Sequence, residues 1–277
     1  MKLKTRYGTA QRVSDLLILS VALVTVFPFY WMLVTSFKPA PEIFLPGVRL
    51  LPIQPVIENY KEVFLNSLIL RYLWNGAVVV SLTLLFQLLL TIPAAFAFAR
   101  IRFPLRDKLF VLIIAALVFP RFIAAIPNFL MLSALRLNNT YFSLIFPFVG
   151  SAYGVFLFRQ FFKSIPQSYF DAAFIDGCTI PQILYHVAIP FALPVIGSYS
   201  IISVLTHWND LFWPLVIIHT NKKLTPPAGV VHFASGEGAN NYGAIMAAAV
   251  IIILPLIVMY VAGRKKFFEN ALDLQLK

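Results

Sequence analysis

Four stretches of the sequence, residues 16–37, 72–99, 137–158 and 238–263, carry no charged side chain and are dominated by Leu, Ile, Val, Ala and Phe. About 20 such residues cross the hydrocarbon core of a bilayer as a helix, whose backbone satisfies its own hydrogen bonds there. Two further runs are interrupted: 109–135 by Arg121, and 187–218 by His207, Trp208, Asn209 and Asp210. Six transmembrane helices are therefore expected. With 60% hydrophobic and 12% charged residues, the chain lies far from a soluble domain, where about a quarter is charged. The expected fold class is an all-α membrane protein, a single domain over 1–277.

An even number of spans places both termini on one side, and Lys and Arg are retained on the cytoplasmic side. With the N-terminus inside, most of the 22 basic residues fall on inner segments. These are the tail of about 1–15, the turn "RIRFPLRDK", Arg159 and Lys163, and the tail of about 264–277. The net charge of +11 is thus explained by topology and needs no nucleic acid. The first apolar run is too long for a signal-peptide core and is read as a retained helix. Cys178 is the one cysteine, so no disulfide forms within the chain.

Between the spans, prolines from Pro39 to Pro55 forbid a regular helix, and a short amphipathic helix is expected over 57–66. Asn138 and Asn139 suit positive-φ turn positions, and 219–241 reads as irregular.

The stretch "YFDAAFIDGCTIPQILYHVAIP", 169–190, breaks the pattern. Ser164 is a candidate cap for a helix over about 166–176, with Gly177 at the left-handed position after it. Thr179, Pro181 and Gln182 have the spacing of a capping box for a second helix to about Ala188, and Pro190 marks the return to the membrane. Ala172 and Ala173 are small enough for close approach by another backbone. Asp171 and Asp176 offer charge, and Ile180, Ile183, Leu184 and Val187 form an apolar stripe. A hairpin resting on lipid would carry basic residues; this one has none after Lys163.

This stretch resembles the signature loop of binding-protein-dependent ABC transporter permeases, with Asp171, Ala172, Ala173, Gly177, Ile189 and Pro190 at the motif positions. "TSFKPAPEIF", "NNTYFSLIFPF", "WNDLFWPLVI" and "YGAIMAAAVIIILPLIVMY" are similar, in order, to the carbohydrate-uptake, maltose-type branch. The resemblance implies a type I importer permease with six helices, in which the loop of about 159–190 is a cytoplasmic coupling-helix hairpin seated on an ATP-binding subunit. It also implies a homologous second permease, two ATP-binding subunits, an outer solute-binding protein and a sugar substrate, in a bacterial inner membrane with its lipid. The chain would then be no enzyme and bind no cofactor or metal, ATP and Mg being used by the partners; the sequence contains no G-x-x-x-x-G-K-[ST]. Asp171 stands where the family usually has Glu, and the C-terminal tail lacks the family's glycines.

Within the spans, Arg121 is costly, about 2.5–3.5 kcal/mol on insertion scales, so it is expected to face protein or a water-filled path. Two readings stay open: a partner for a neighbouring subunit, or a cation lining the substrate path, where it would select a uronate oligosaccharide or a sugar phosphate. Pro120, Pro127 and Asn128 would unwind the helix there. Neutral oligosaccharides, held by stacking on aromatic rings, and a non-sugar solute are the alternatives. Asn209 and Asp210 are candidates for the path or its outer mouth beside an interfacial belt of Trp208 and Trp213. Gln87 is a further path candidate; for it, Ser198, Ser200 and Ser203, helix packing is the plainer role. An ion-coupled carrier is disfavoured because Asp210 is the one carboxylate of the spans. An intramembrane enzyme is disfavoured by four scattered His and no paired acid.

Overall fold

The computed structural model describes the backbone of residues 4–47, 49–236, 238 and 240–273, and the side chains within it except those of 4–10, 121 and 262–273. The described residues are helical, with no strand among them. Gln11–Ser36, Ile69–Arg100, Ile180–Trp208 and Tyr242–Val261 are each long and apolar enough to cross a membrane, and two bent helix pairs, each counted as one span, bring the total to six. The all-α, six-span expectation therefore stands. Contacts divide the chain into two units, 1–69 with 230–254, and 70–229 with 255–277.

In the first unit, α1 (Lys4–Ser36) runs into a proline-rich segment containing one helical turn, α2 (Ala40–Ile43), and then α3 (Glu58–Asn66). The turn was not expected from the sequence; Pro41 fits it because a first-turn residue needs no N–H donor. The segment is pinned by buried polar groups. Lys38 is 3% exposed, its Nζ donating to Arg49 O at 2.7 Å and lying 4.5 Å from the Trp31 ring centre. Asn59 Nδ2 donates to Ser36 O and Lys38 O at 2.9 and 2.8 Å, capping the open carbonyl end of α1. Asn241 Nδ2 donates to Glu62 and ties α3 to the start of α14 (Tyr242–Asp273).

The second unit is built on α4 (Ile69–Arg100). α5 (Arg106–Val118) stops at Phe119, because the residue before Pro120 is forced out of the helical region. A one-turn helix, Arg121–Ala124, then leads into α6 (Ala125–Ala134), bent 96° from α5. The unwinding expected near Pro120 is thus a full break. Arg136 and Asn139 take positive φ in the turn that follows, so Arg136 has the place expected of Asn138. α7 (Tyr141–Ile145), capped by Thr140, and α8 (Ala152–Ser164), capped by Ser151, form a second bent span at 43°. The sequence placed the end of this span at Phe158, but Arg159 and Lys163 belong to the same helix. α9 (Gln167–Ile175) and α10 (Ile180–Ile183) make the hairpin.

α10 passes without interruption, through the wide turn Leu184–Ala188, into α11 (Ile189–Trp208). Pro190 was expected to separate hairpin from span. It instead widens one turn, since it cannot donate to the carbonyl four residues back. α12 (Phe212–Ile217) follows as a separate piece. α13 (Pro226–Ser235) occupies part of the loop expected to be irregular.

The core of this unit is apolar and packed from α4, α8, α9, α10 and α11, with Phe96, Phe158, Phe162, Phe170 and Ile183 at its centre. Gly154 lets α8 approach closely: a Cβ there would lie 2.7 Å from Thr91 Cγ2 and 2.9 Å from Tyr199 Cε2.

Candidate functional site

The hairpin is fixed at its corner and open at its tip. Gly177 takes φ +78°, a conformation without the Cβ penalty of other residues. Its N–H donates to Phe174 O at 3.0 Å, and Cys178 N donates to Ala173 O at 3.0 Å, closing the end of α9 in the manner of a left-handed cap. Gln182 Oε1 accepts from Thr179 N and from Thr179 Oγ1, both at 2.8 Å, so the capping box closes from the glutamine side. Ser164 does not cap α9; its hydroxyl bonds Phe161 O at 2.7 Å at the end of α8, and Pro166 precedes α9 instead.

One side of the hairpin is core and the other is free. Phe170, Ala173 and Ile183 are buried, so of the two alanines only Ala172 faces outward. Asp171, Asp176 and Gly177 are exposed. Ile175 is 86% exposed, and Phe174, Tyr169 and Tyr185 are more than half or half exposed beside it. The exposed tip is thus apolar and flanked by two carboxylates. Ile189, half-buried, and Pro190, exposed, lie at the start of α11.

Within the spans Gln87 is a hub. Its Nε2 donates to Phe148 O at 2.8 Å and faces His207 Nε2 at 3.1 Å; its Oε1 accepts from Tyr199 OH at 3.0 Å and Ser203 Oγ at 2.6 Å. Ser198 and Ser200 bond carbonyls of their own helix, as packing residues do, but Ser203 reaches across to α4. Gln87, Ser203 and His207 border a cavity of about 300 Å³ together with Ser151, Tyr153 and Thr206. The sequence named Gln87, Ser203 and His207 separately and did not offer Tyr199 or the Phe148 carbonyl; no spacing connects these distant segments.

A second recess, of about 320 Å³, brings together three of the expected path residues, Asn128, Asn209 and Asp210, with the rings of Phe122, Phe148, Phe212 and Trp213. Phe122 and Phe212 meet edge to face at 4.8 Å. Asp210 Oδ1 accepts from Trp213 N at 3.3 Å, and Trp213 Nε1 donates to Ser143 O at 2.8 Å, which holds the indole in place. The Arg121 side chain lies outside the described residues, although its backbone begins the turn that carries Phe122. The side chains of the tail at 264–277 lie outside them as well, although its backbone continues α14 as far as Asp273. Among the described residues no group of His, Cys, Asp and Glu is arranged to hold a metal ion.

Fold and sites define a polytopic helical membrane protein with recesses lined by aromatic and polar side chains and a helical hairpin with an exposed tip. Residues 87–265 match the family described as binding-protein-dependent transport system inner membrane component. The chain is 30% identical over 257 residues to an arabinooligosaccharide transport system permease of Halalkalibacterium halodurans, covering 90% of each. It is 28% identical to the sn-glycerol-3-phosphate transport system permease of Escherichia coli, covering 93% of this chain and 94% of that one. A bacterial ABC transporter involved in the import of the acidic polysaccharide alginate has a chain of the same fold, with a TM-score of 0.83 and 24% identity, covering 95% of this chain and 98% of that one. The chain belongs to the family of inner-membrane components of binding-protein-dependent transport systems. It is a transport permease subunit.

Proposed function

We propose that the chain is one permease of an ATP-driven sugar importer, a single transmembrane domain forming half of the translocation path. The observation that carries this is the hairpin. A hydrophobic tip at Ile175, set on a fixed glycine corner and continuous with α11, is built to receive force from a second protein. On this reading two ATP-binding subunits supply hydrolysis with their ATP and Mg, in keeping with a sequence that carries no G-x-x-x-x-G-K-[ST]. A homologous permease completes the path, and a solute-binding protein delivers the sugar from outside. Both termini and the hairpin are cytoplasmic on this reading.

The similarity to a permease for arabinooligosaccharides supports a sugar as cargo, and the similarity to one for sn-glycerol-3-phosphate keeps a small phosphate ester open. The recess at Asn128 adds to it, since flat aromatic rings beside two amides and a carboxylate suit a pyranose, whose faces are apolar and whose rim is hydroxyl. An acidic sugar or sugar phosphate would need a cation there, and Arg121, adjacent to Phe122, would supply it.

The test is ATPase stimulation of the reconstituted complex by its loaded binding protein, with acidic and neutral oligosaccharide panels, for wild type and Arg121→Gln. Stimulation by acidic sugars that is lost in the variant assigns the cargo as anionic and Arg121 to the path. Stimulation by neutral sugars, unchanged in the variant, assigns a neutral cargo. No stimulation by any sugar, against stimulation by another solute, overturns the sugar reading.

A further inference from the structure

Two arginines close the inner ends of two helices reciprocally. Arg100, the last residue of α4, donates from Nε to Phe162 O at 3.0 Å and from Nη2 to Ile165 O, at the end of α8. Arg159, on α8, donates from Nε to Phe98 O at 3.1 Å, at the end of α4. Each guanidinium thus satisfies a last-turn carbonyl of the other helix and sits at the negative end of its dipole. Each also lies over a ring, Arg100 at 4.2 Å from Phe170 and Arg159 at 3.6 Å from Phe110.

Arg100 goes one step further. Its Nη1 donates to Gln167 Oε1 at 2.7 Å, and Gln167 Nε2 donates to Asp171 Oδ1 at 2.8 Å. An arginine only donates and a carboxylate only accepts, so the amide between them has one possible orientation. The chain Arg100–Gln167–Asp171 therefore has a fixed sense, and it joins the end of α4 to the outward face of α9.

We infer that Arg100 is the positioning residue that passes displacement of the hairpin to α4. This rests on the reading of the hairpin as the contact for the ATP-binding subunit. α11 is one rod leading from the hairpin into the membrane, and Arg100 couples a second. Gln87 lies on α4 thirteen residues before Arg100, roughly 20 Å along the helix at 1.5 Å per residue. A push at Asp171 thus reaches the polar hub through both helices that build it, because Tyr199, Ser203 and His207 stand on α11 and Gln87 on α4. The shorter acid fits this role: Asp171 is held by its own helix through Gln167 instead of reaching freely outward.

The experiment measures sugar imported per ATP hydrolysed in proteoliposomes holding the whole complex, for wild type, Gln167→Leu and Arg100→Lys. Gln167→Leu keeps the helix and both arginine clasps but cuts the link to Asp171. Arg100→Lys keeps the charge but loses the planar fork that serves loop and glutamine together. Gln167→Leu removes two charge-assisted hydrogen bonds, from Arg100 and to Asp171, each corresponding to about tenfold, so import per ATP is expected to fall by at least roughly that factor while the subunits still co-purify and ATP is still hydrolysed. A merely structural role would lower the yield of complex and leave the ratio alone. A wild-type ratio in Gln167→Leu overturns the inference while leaving the hairpin's function standing. Wild-type complex that hydrolyses ATP without importing any solute overturns both.

Discussion

Gln87 Nε2 stands 3.1 Å from His207 Nε2, across 120 residues of sequence. The same amide nitrogen donates to the Phe148 carbonyl at 2.8 Å, which can only accept. That fixes the orientation of the amide, and His207 must then present Nε2 as an acceptor with its proton on Nδ1. One side chain on α4 thus holds four groups from two other segments, α11 and the turn at Phe148, with no lipid-facing role for it.

Removing that side chain takes one hydrogen bond each from the Phe148 carbonyl and from the Tyr199 and Ser203 hydroxyls. Each lost bond costs about 0.5–1.5 kcal/mol, and more where a buried group finds no other partner, partly recovered where water enters the adjoining cavity. Gln87→Leu is expected to destabilise the detergent-solubilised protein by about 3 kcal/mol, read as a lower melting midpoint. Gln87→Glu, which cannot donate to Phe148 O when ionised, should not restore it.

Gly154→Ala tests the contact between α8 and its neighbours. The new methyl meets Thr91 Cγ2 at 2.7 Å and the Tyr199 ring at 2.9 Å, and such overpacking costs about 1–3 kcal/mol. Thr91→Ser deletes the first of these atoms and is expected to relieve part of the loss in the double variant. A double-mutant cycle by thermal unfolding measures the coupling.

Gly177→Ala isolates backbone conformation, since nothing lies within 4 Å of the added Cβ. The left-handed conformation costs a non-glycine residue about 1–2 kcal/mol. Hydrogen exchange across 172–180 should speed by about tenfold, with Gly177→Asn closer to wild type. If the hairpin seats an ATP-binding subunit as proposed, Ile175→Asp should leave exchange unchanged and abolish co-purification of that subunit, because it alters only the exposed tip.

Trp213→Ala removes an anchored ring from the Asn128 recess together with its bond to Ser143 O. Half-maximal sugar concentration in the stimulated ATPase assay is expected to rise about tenfold, as loss of an aromatic contact of about 1.5 kcal/mol implies. Asp210→Asn keeps an oxygen acceptor for Trp213 N and tests whether the carboxylate charge is needed in the recess. Both variants need a melting curve beside the kinetic one.

The spans, the hairpin and its corner were legible in sequence because their causes are local. An uncharged run long enough for a bilayer, a glycine after a short helix, and Thr-Ile-Pro-Gln at a helix start act within a few residues. The same locality explains the misreadings. Ser164 has the right side chain for a cap, but α8 extends far enough to use its hydroxyl first. Pro190 has the right chemistry for a helix end, yet packing of Ala188 and Ala192 in the core holds the rod together across it.

What sequence could not decide was which polar residues meet. Gln87, Tyr199, Ser203 and His207 form one hub, and Arg100, Gln167 and Asp171 one chain, because helices far apart in sequence pack side by side. The sequence by itself determined that this chain is a helical membrane protein, since apolar length and backbone hydrogen bonding leave lipid no other solution. Tertiary structure decided where its few polar groups act. A buried donor must find its acceptor in space, and that requirement has no period along the chain.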